Sequence, residues 1–177
     1  RQGERMIGYV EGRLLAVLEK ACLVLTEGGV GYEVRLGEQT LAKLPAKGQS
    51  VALYVLTQVR EDALELYGFE SLEERQTFEQ LLSISKLGPK TALAILACYR
   101  PHDLARIAAE EDVAMLARVP GIGKKSAERI LFELKFKIKP EHFAPPAAGA
   151  AGQIRSSVFR DALDGLINLG YADTEIR

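Results

Sequence analysis

The stretch Leu81-Leu82-Ser83-Ile84-Ser85-Lys86-Leu87-Gly88-Pro89-Lys90-Thr91-Ala92-Leu93-Ala94-Ile95-Leu96 recurs, without a gap, as Leu116-Ala117-Arg118-Val119-Pro120-Gly121-Ile122-Gly123-Lys124-Lys125-Ser126-Ala127-Glu128-Arg129-Ile130-Leu131. Leu81 falls on Leu116, Gly88 on Gly123, Lys90 on Lys125, Thr91 on Ser126 and Ala92 on Ala127. Each copy reads as the apolar end of one helix, a tight glycine-containing hairpin, and a second helix opened by lysine and a hydroxyl residue. Such a unit aims backbone N–H groups, a helix N-terminus and a cation at one point. The ligand that suits all three is a phosphate.

In the second copy Gly121 and Gly123 are expected to allow positive φ and to leave room for a close approach. The N–H groups around Gly123, Lys124 and Lys125 lack intrahelical partners. Lys124 and Lys125 add charge, Ser126 caps the helix or donates to a phosphate oxygen, and Arg129 lies one turn past Lys125 on the same face. One copy alone reads equally well as a Gly-rich turn with solvated lysines, but two in register favour phosphate binding. The first copy departs at Lys86, which stands where the second has Gly121. A non-Gly residue there accepts strain or changes the turn. Gly88 and Lys90 remain, and Lys86 adds charge. Two hairpins related by pseudo-symmetry would hold both strands of a duplex across the minor groove, through sugar-phosphate contacts that carry no base sequence. The basic stretch is read as free of interleaved aromatics, which argues against a stacking platform for single strands.

Outward from the repeat, residues 6–69 read as β. Short apolar runs at 7–9 and 14–17 are punctuated by Gly8 and Gly12, followed by a run at 22–26, a turn at Glu27-Gly28-Gly29 and a strand over 30–36. A short helix is expected at 41–44. Ser50–Val59 and Leu64–Phe69 form a hairpin with its tip at 60–63. Five or six short strands in this length suit a small closed barrel better than a sandwich. Ser71 is the expected N-cap of a helix with Glu73 and Glu74 in its first turn and Phe78, Leu81 and Leu82 on its buried stripe. Helix resumes after Pro89 and restarts at Pro101 and Asp103. Glu110-Glu111-Asp112 opens a further helix, and another runs from Lys124 to about Ile138. The expected division is 1–5 an expression remnant before a native start at Met6, 6–69 the barrel, 70–139 the hairpin domain, 140–153 a Pro/Ala/Gly-rich flexible linker, and 154–177 a partial C-terminal helical domain.

Composition bounds the function. The 177 residues carry a net charge of −1, 47% hydrophobic and 27% charged residues. That near-neutral total hides a basic stretch (Arg118, Lys124, Lys125, Arg129, Lys135, Lys137, Lys139) and an acidic one (Glu61, Asp62, Glu65, Glu70, Glu73, Glu74, Glu79). Cys22 and Cys98 have no metal-ligand spacing and read as buried free thiols of a reducing compartment. No run is long and apolar enough for a membrane span and no secretory signal opens the chain, so a cytoplasmic location is expected. The two histidines, His102 and His142, form no triad or metal pattern and read as surface residues. No Walker-type phosphate loop is present, so the chain itself is not expected to hydrolyse ATP. Neither a catalytic residue, a resident metal nor a cofactor is expected. Glu61 and Asp62 at the hairpin tip keep three readings open: a solvated turn, part of a metal site for phosphodiester hydrolysis with Glu65, or a negative charge that repels phosphates.

Taken together, Gly29-Val30-Gly31-Tyr32-Glu33-Val34, Arg60-Glu61-Asp62-Ala63 leading to Leu66-Tyr67-Gly68-Phe69, and Pro120-Gly121-Ile122-Gly123-Lys124-Lys125-Ser126-Ala127-Glu128-Arg129 resemble the RuvA family of Holliday junction branch-migration proteins. The resemblance covers residues 6–138, with a weaker match over 155–171. It implies an α+β multidomain protein: an N-terminal OB-fold β-barrel, a central all-α tandem helix-hairpin-helix domain, and a short helical C-terminal segment that recruits a partner. It implies a non-catalytic DNA-binding subunit of an ATP-dependent complex in recombination and repair, which holds four-way junctions open as a homotetramer, in some cases paired face to face. The implied partners are four-way junction DNA, a RuvB-like hexameric ATPase that supplies the work, and a RuvC-like resolvase. Gly88, Lys90, Gly121, Gly123, Lys124, Lys125, Ser126 and Arg129 match positions that meet the DNA arms, with Lys86 and Arg60 beside them. Glu61 and Asp62 match an acidic pin at the tetramer centre. The rival readings are a metal-dependent junction nuclease and a generic duplex-binding helix-hairpin-helix module.

Overall fold

The computed structural model describes residues 7–60 and 63–137. Glu61, Asp62 and His142, together with the expected remnant at 1–5, the start at Met6, the linker and the C-terminal helical segment, lie outside the described residues. The first half builds β1 (Tyr9–Val17), β2 (Ala21–Leu25), β3 (Gly31–Leu36), α1 (Glu38–Ala42), β4 (Ser50–Val59) and β5 (Leu64–Phe69). The strands close in the order β1-β2-β3-β5-β4, with β4 returning to β1. Every pairing is antiparallel except β3 with β5, where Val34 lies opposite Leu66. Closure removes the free sheet edges and encloses a core that includes Leu14, Val24, Val34 and Val55. This is a five-stranded barrel of the OB type.

Two local expectations are corrected. Gly12 does not interrupt a strand. β1 runs through it, because a Cβ there would come within 2.2 Å of the Leu25 carbonyl oxygen on β2. Only glycine permits that approach, and the register of the pair shifts between Leu14 and Ala16. The short helix expected at 41–44 begins at Glu38 instead. Leu41 and Leu44 both pack on the barrel core, so the apolar signal marked the packed face and not the helix bounds.

The second half is helical: α2 (Leu72–Leu82), α3 (Pro89–Cys98), α4 (Pro101–Glu110), α5 (Val113–Leu116) and α6 (Lys124–Lys137). Ser71 caps α2 by accepting from the Glu74 N–H at 3.1 Å. Asp103 accepts from the Arg100 N–H at the start of α4. The acidic run expected to open a new helix is divided. Glu110 is the last residue of α4, Glu111 closes it at φ 57°, and Asp112 alone caps α5, accepting from Met115 N–H at 3.1 Å.

Barrel and helices share one apolar cluster, in which Leu56, Tyr67 and Phe69 of the strands join Phe78, Leu104 and Leu134 of the helices. The Phe78 ring lies 5.2 Å from Tyr67 and 4.9 Å from Phe69, centroid to centroid. Losing such a side chain costs about 3–5 kcal/mol. Buried Arg75 of α2 donates from Nε to the Val55 carbonyl of β4 at 2.8 Å. The cysteines differ from expectation. Cys22 is buried, which pushes its thiol up to about 11, whereas Cys98 is exposed at the end of α3. Among the described residues no helix is long and apolar enough to cross a membrane.

Candidate nucleic-acid interface

The internal repeat folds as two helix-hairpin-helix units with matching hydrogen bonds. In the first, Ser83 N–H donates to the Gln80 carbonyl, Ile84 to Leu81, Leu87 to Ile84, and Ala92 to Gly88. In the second, Arg118 donates to Met115, Val119 to Leu116, Ile122 to Val119, and Ala127 to Gly123. All eight lie between 2.9 and 3.2 Å. The inward residues match as well, with Leu81, Ile84, Leu87 and Ala92 buried like Leu116, Val119, Ile122 and Ala127. Apolar anchors on both sides of each turn hold the loop backbone outward.

The turn residues settle how Lys86 is accommodated. Lys86 has φ 58° and Gly121 φ 85°, both left-handed. The first hairpin therefore keeps the turn and accepts the torsional strain, a cost of about 1–3 kcal/mol for a residue with a Cβ. Gly123 does not adopt the positive φ expected for it. Like Gly88, its missing Cβ would meet nothing within 4 Å, so both glycines leave open space in front of a helix N-terminus. Pro89 occupies the first turn of α3, where the absent N–H is not needed.

Charge on this surface falls into two groups. Lys86, Lys90, Lys124 and Lys125 are exposed, and among the described residues none is in a salt bridge. Ser126 is half-buried beside them. The cations further along α6 are engaged elsewhere: Lys135 with Glu111 and Lys137 with Glu133. Arg129 donates to the Ser85 carbonyl of the other hairpin. The same Ser85 offers its N–H to Glu133 at 3.2 Å, and Lys137 donates to the Ser83 carbonyl. These α6 contacts to the first hairpin were not anticipated, because nothing in the local sequence pairs residues so far apart. Phe132 and Phe136 also correct the reading of the basic stretch. Both are exposed on α6, with ring centroids 5.2 Å apart in an edge-to-face contact. The pair lies about 12 Å or more along the helix from the hairpin.

The β4–β5 ribbon carries the second charged feature. Arg60 N–H donates to the Ala63 carbonyl at 2.8 Å, extending the pairing beyond Val59 and Leu64. Glu65, the third carboxylate of the nuclease reading, lies 3.0 Å from Arg35, 4.0 Å from Arg60, and 2.8 Å from the Tyr67 hydroxyl that donates to it. Burial, with that hydrogen bond second, pushes the Tyr67 phenol up to about 12. A carboxylate so engaged has little capacity left for a metal ion. Among the described residues no three His, Cys, Asp or Glu side chains converge as for a metal. His102 is exposed beside Asp103.

Residues 6–68 match the family model described as the RuvA N terminal domain, and residues 78–137 match that of a SAM-like helix-hairpin-helix tandem. The chain is 58% identical over 170 residues to the Holliday junction branch migration complex subunit RuvA of Oleidesulfovibrio alaskensis, covering 96% of this chain and 84% of that one. The proteins of the same name from Nitratidesulfovibrio vulgaris (strain DP4) and Geobacter sp. (strain M21) are 56% and 39% identical, over 96% and 97% of this chain and 84% and 86% of theirs.

Proposed function

The chain belongs to the RuvA family, and from that premise we propose that it is the DNA-binding subunit of a Holliday junction branch migration complex. The observation that carries this reading is the pair of hairpins with equivalent backbones, each presenting exposed lysines at a helix N-terminus that form no salt bridge among the described residues. Phosphates of the junction arms are bound by the amides around Gly88 and Lys90 and around Gly121, Gly123, Lys124 and Lys125, with Ser126 and Lys86 adding polar contacts. Arg60 stands at the tip end of the ribbon, beside the pin. Glu61 and Asp62 act as the acidic pin, repelling the phosphates of the crossing strands so that the junction stays open.

The protein works as a homotetramer and supplies shape and charge, with no cofactor of its own. A RuvB-like hexameric ATPase supplies the work, and a RuvC-like resolvase acts on the same junction. The decisive test is a gel shift of labelled four-way junction against excess linear duplex. The junction complex is expected to survive the competitor; equal competition would leave only a generic duplex-binding module. Incubating the junction with Mg²⁺ or Mn²⁺ should yield no specific nick, and a nick would establish the nuclease reading. Replacing Glu61→Lys together with Asp62→Lys is expected to keep affinity while slowing branch migration at least tenfold, on the order of 1.4 kcal/mol of barrier. Unchanged migration would remove the pin.

A further inference from the structure

Arg129, Glu133 and Lys137 recur one turn apart on α6, so their side chains share one face. All three end on the backbone of the first hairpin. Glu133 accepts from the Ser85 N–H at 3.2 Å, Arg129 donates to the Ser85 carbonyl, and Lys137 donates to the Ser83 carbonyl while pairing with Glu133 at 3.4 Å. The residue that follows is Lys86, held at φ 58°. Left-handed backbone is disfavoured for any residue with a Cβ, and it persists only where surrounding contacts enforce it. In the second hairpin the equivalent position is Gly121, which needs no such enforcement. The positions equivalent to Arg129 and Glu133 in the first repeat are Ala94 and Cys98, too short to reach across in the same way.

We propose that Glu133, with Arg129 and Lys137, is a positioning clamp that holds the first hairpin in its phosphate-binding shape, doing for Lys86 what glycine does for the second hairpin. The proposal rests on the DNA-binding reading above. It also makes a prediction of unusual sign. Glu133 is a carboxylate against the first hairpin, so if that hairpin meets phosphate, its removal as a bare charge would tighten DNA binding. As a clamp its removal weakens binding.

The test measures four-way junction affinity of the full chain at fixed salt by fluorescence anisotropy. Glu133→Ala is expected to weaken binding about fivefold, the scale of one lost charge-assisted hydrogen bond, with an unchanged salt slope. The same substitution is then made in Lys86→Gly and Lys86→Ala backgrounds. Both lose the same cation, but only glycine relieves the torsion. The loss should fall below about twofold with Lys86→Gly and persist with Lys86→Ala. A readout without DNA accompanies it: amide exchange over residues 85–88 of the free protein should speed up about fivefold in Glu133→Ala, while residues 121–123 stay unchanged. Tighter or unchanged binding, equal losses in both backgrounds, or unchanged exchange would each overturn the clamp. Failure of the wild-type chain to bind the junction would instead sink the DNA-binding reading, and the exchange measurement would still judge the clamp.

Discussion

The hairpin at residues 83–88 and the hairpin at 118–123 follow the same hydrogen-bond ladder but reach it by different chemistry. The second uses glycine at the left-handed position, with open space around it. The first uses lysine there and is held by side chains reaching over from α6. Equivalent backbones can thus rest on local torsional freedom or on distant contacts. The first arrangement places a cation at the turn itself and makes its shape depend on the other half of the repeat.

Substitutions can break this equivalence or sharpen it. The largest effect belongs to the shared core. Leu81→Ala and Leu116→Ala remove side chains that are both fully buried at matched positions, and each should cost about 2–5 kcal/mol in urea unfolding. A much smaller loss at Leu116 would mean that the two units are not equivalent in packing. Charge comes next. Lys90→Glu and Lys125→Glu should each weaken junction binding about tenfold and make the salt dependence shallower by about one phosphate contact. Unequal effects would show that one hairpin carries most of the grip. The smallest effects are torsional and opposite in sign. Gly121→Ala should destabilise by about 1 kcal/mol, because no steric contact intervenes and only the left-handed φ of 85° is penalised. Lys86→Gly should stabilise by up to about 1 kcal/mol by releasing strain. Thermal unfolding of the two variants decides whether the torsional contrast is real.

Much of this was legible from residue order. The bounds of Ser50–Val59 and Leu64–Phe69 are visible in the sequence, because β-branched and aromatic runs flanked by turn residues are a local signal. Ser71 and Asp103 announce their helices through side chains that reach only three residues along the chain. What escaped was non-local. Gly12 looks like punctuation until Leu25 is seen against it, and Cys98 looks like core until α3 is seen to end with it exposed. At the site, the matched lysines and glycines were visible as a repeat. The commitment of Arg129 to Ser85 was not, since a pattern within one helix cannot reveal a contact made to another unit.

The cluster shared by barrel and helices has a mechanical consequence. Leu56, Tyr67 and Phe69 are packed into the same interior as the helices that carry the hairpins, and Arg75 pins α2 to β4. Close-packed interiors transmit strain with little give. The ribbon ending at Arg60 and the helices that carry the hairpins are therefore coupled as one stiff lever, and a displacement imposed at one end passes to the other with little lost to a hinge.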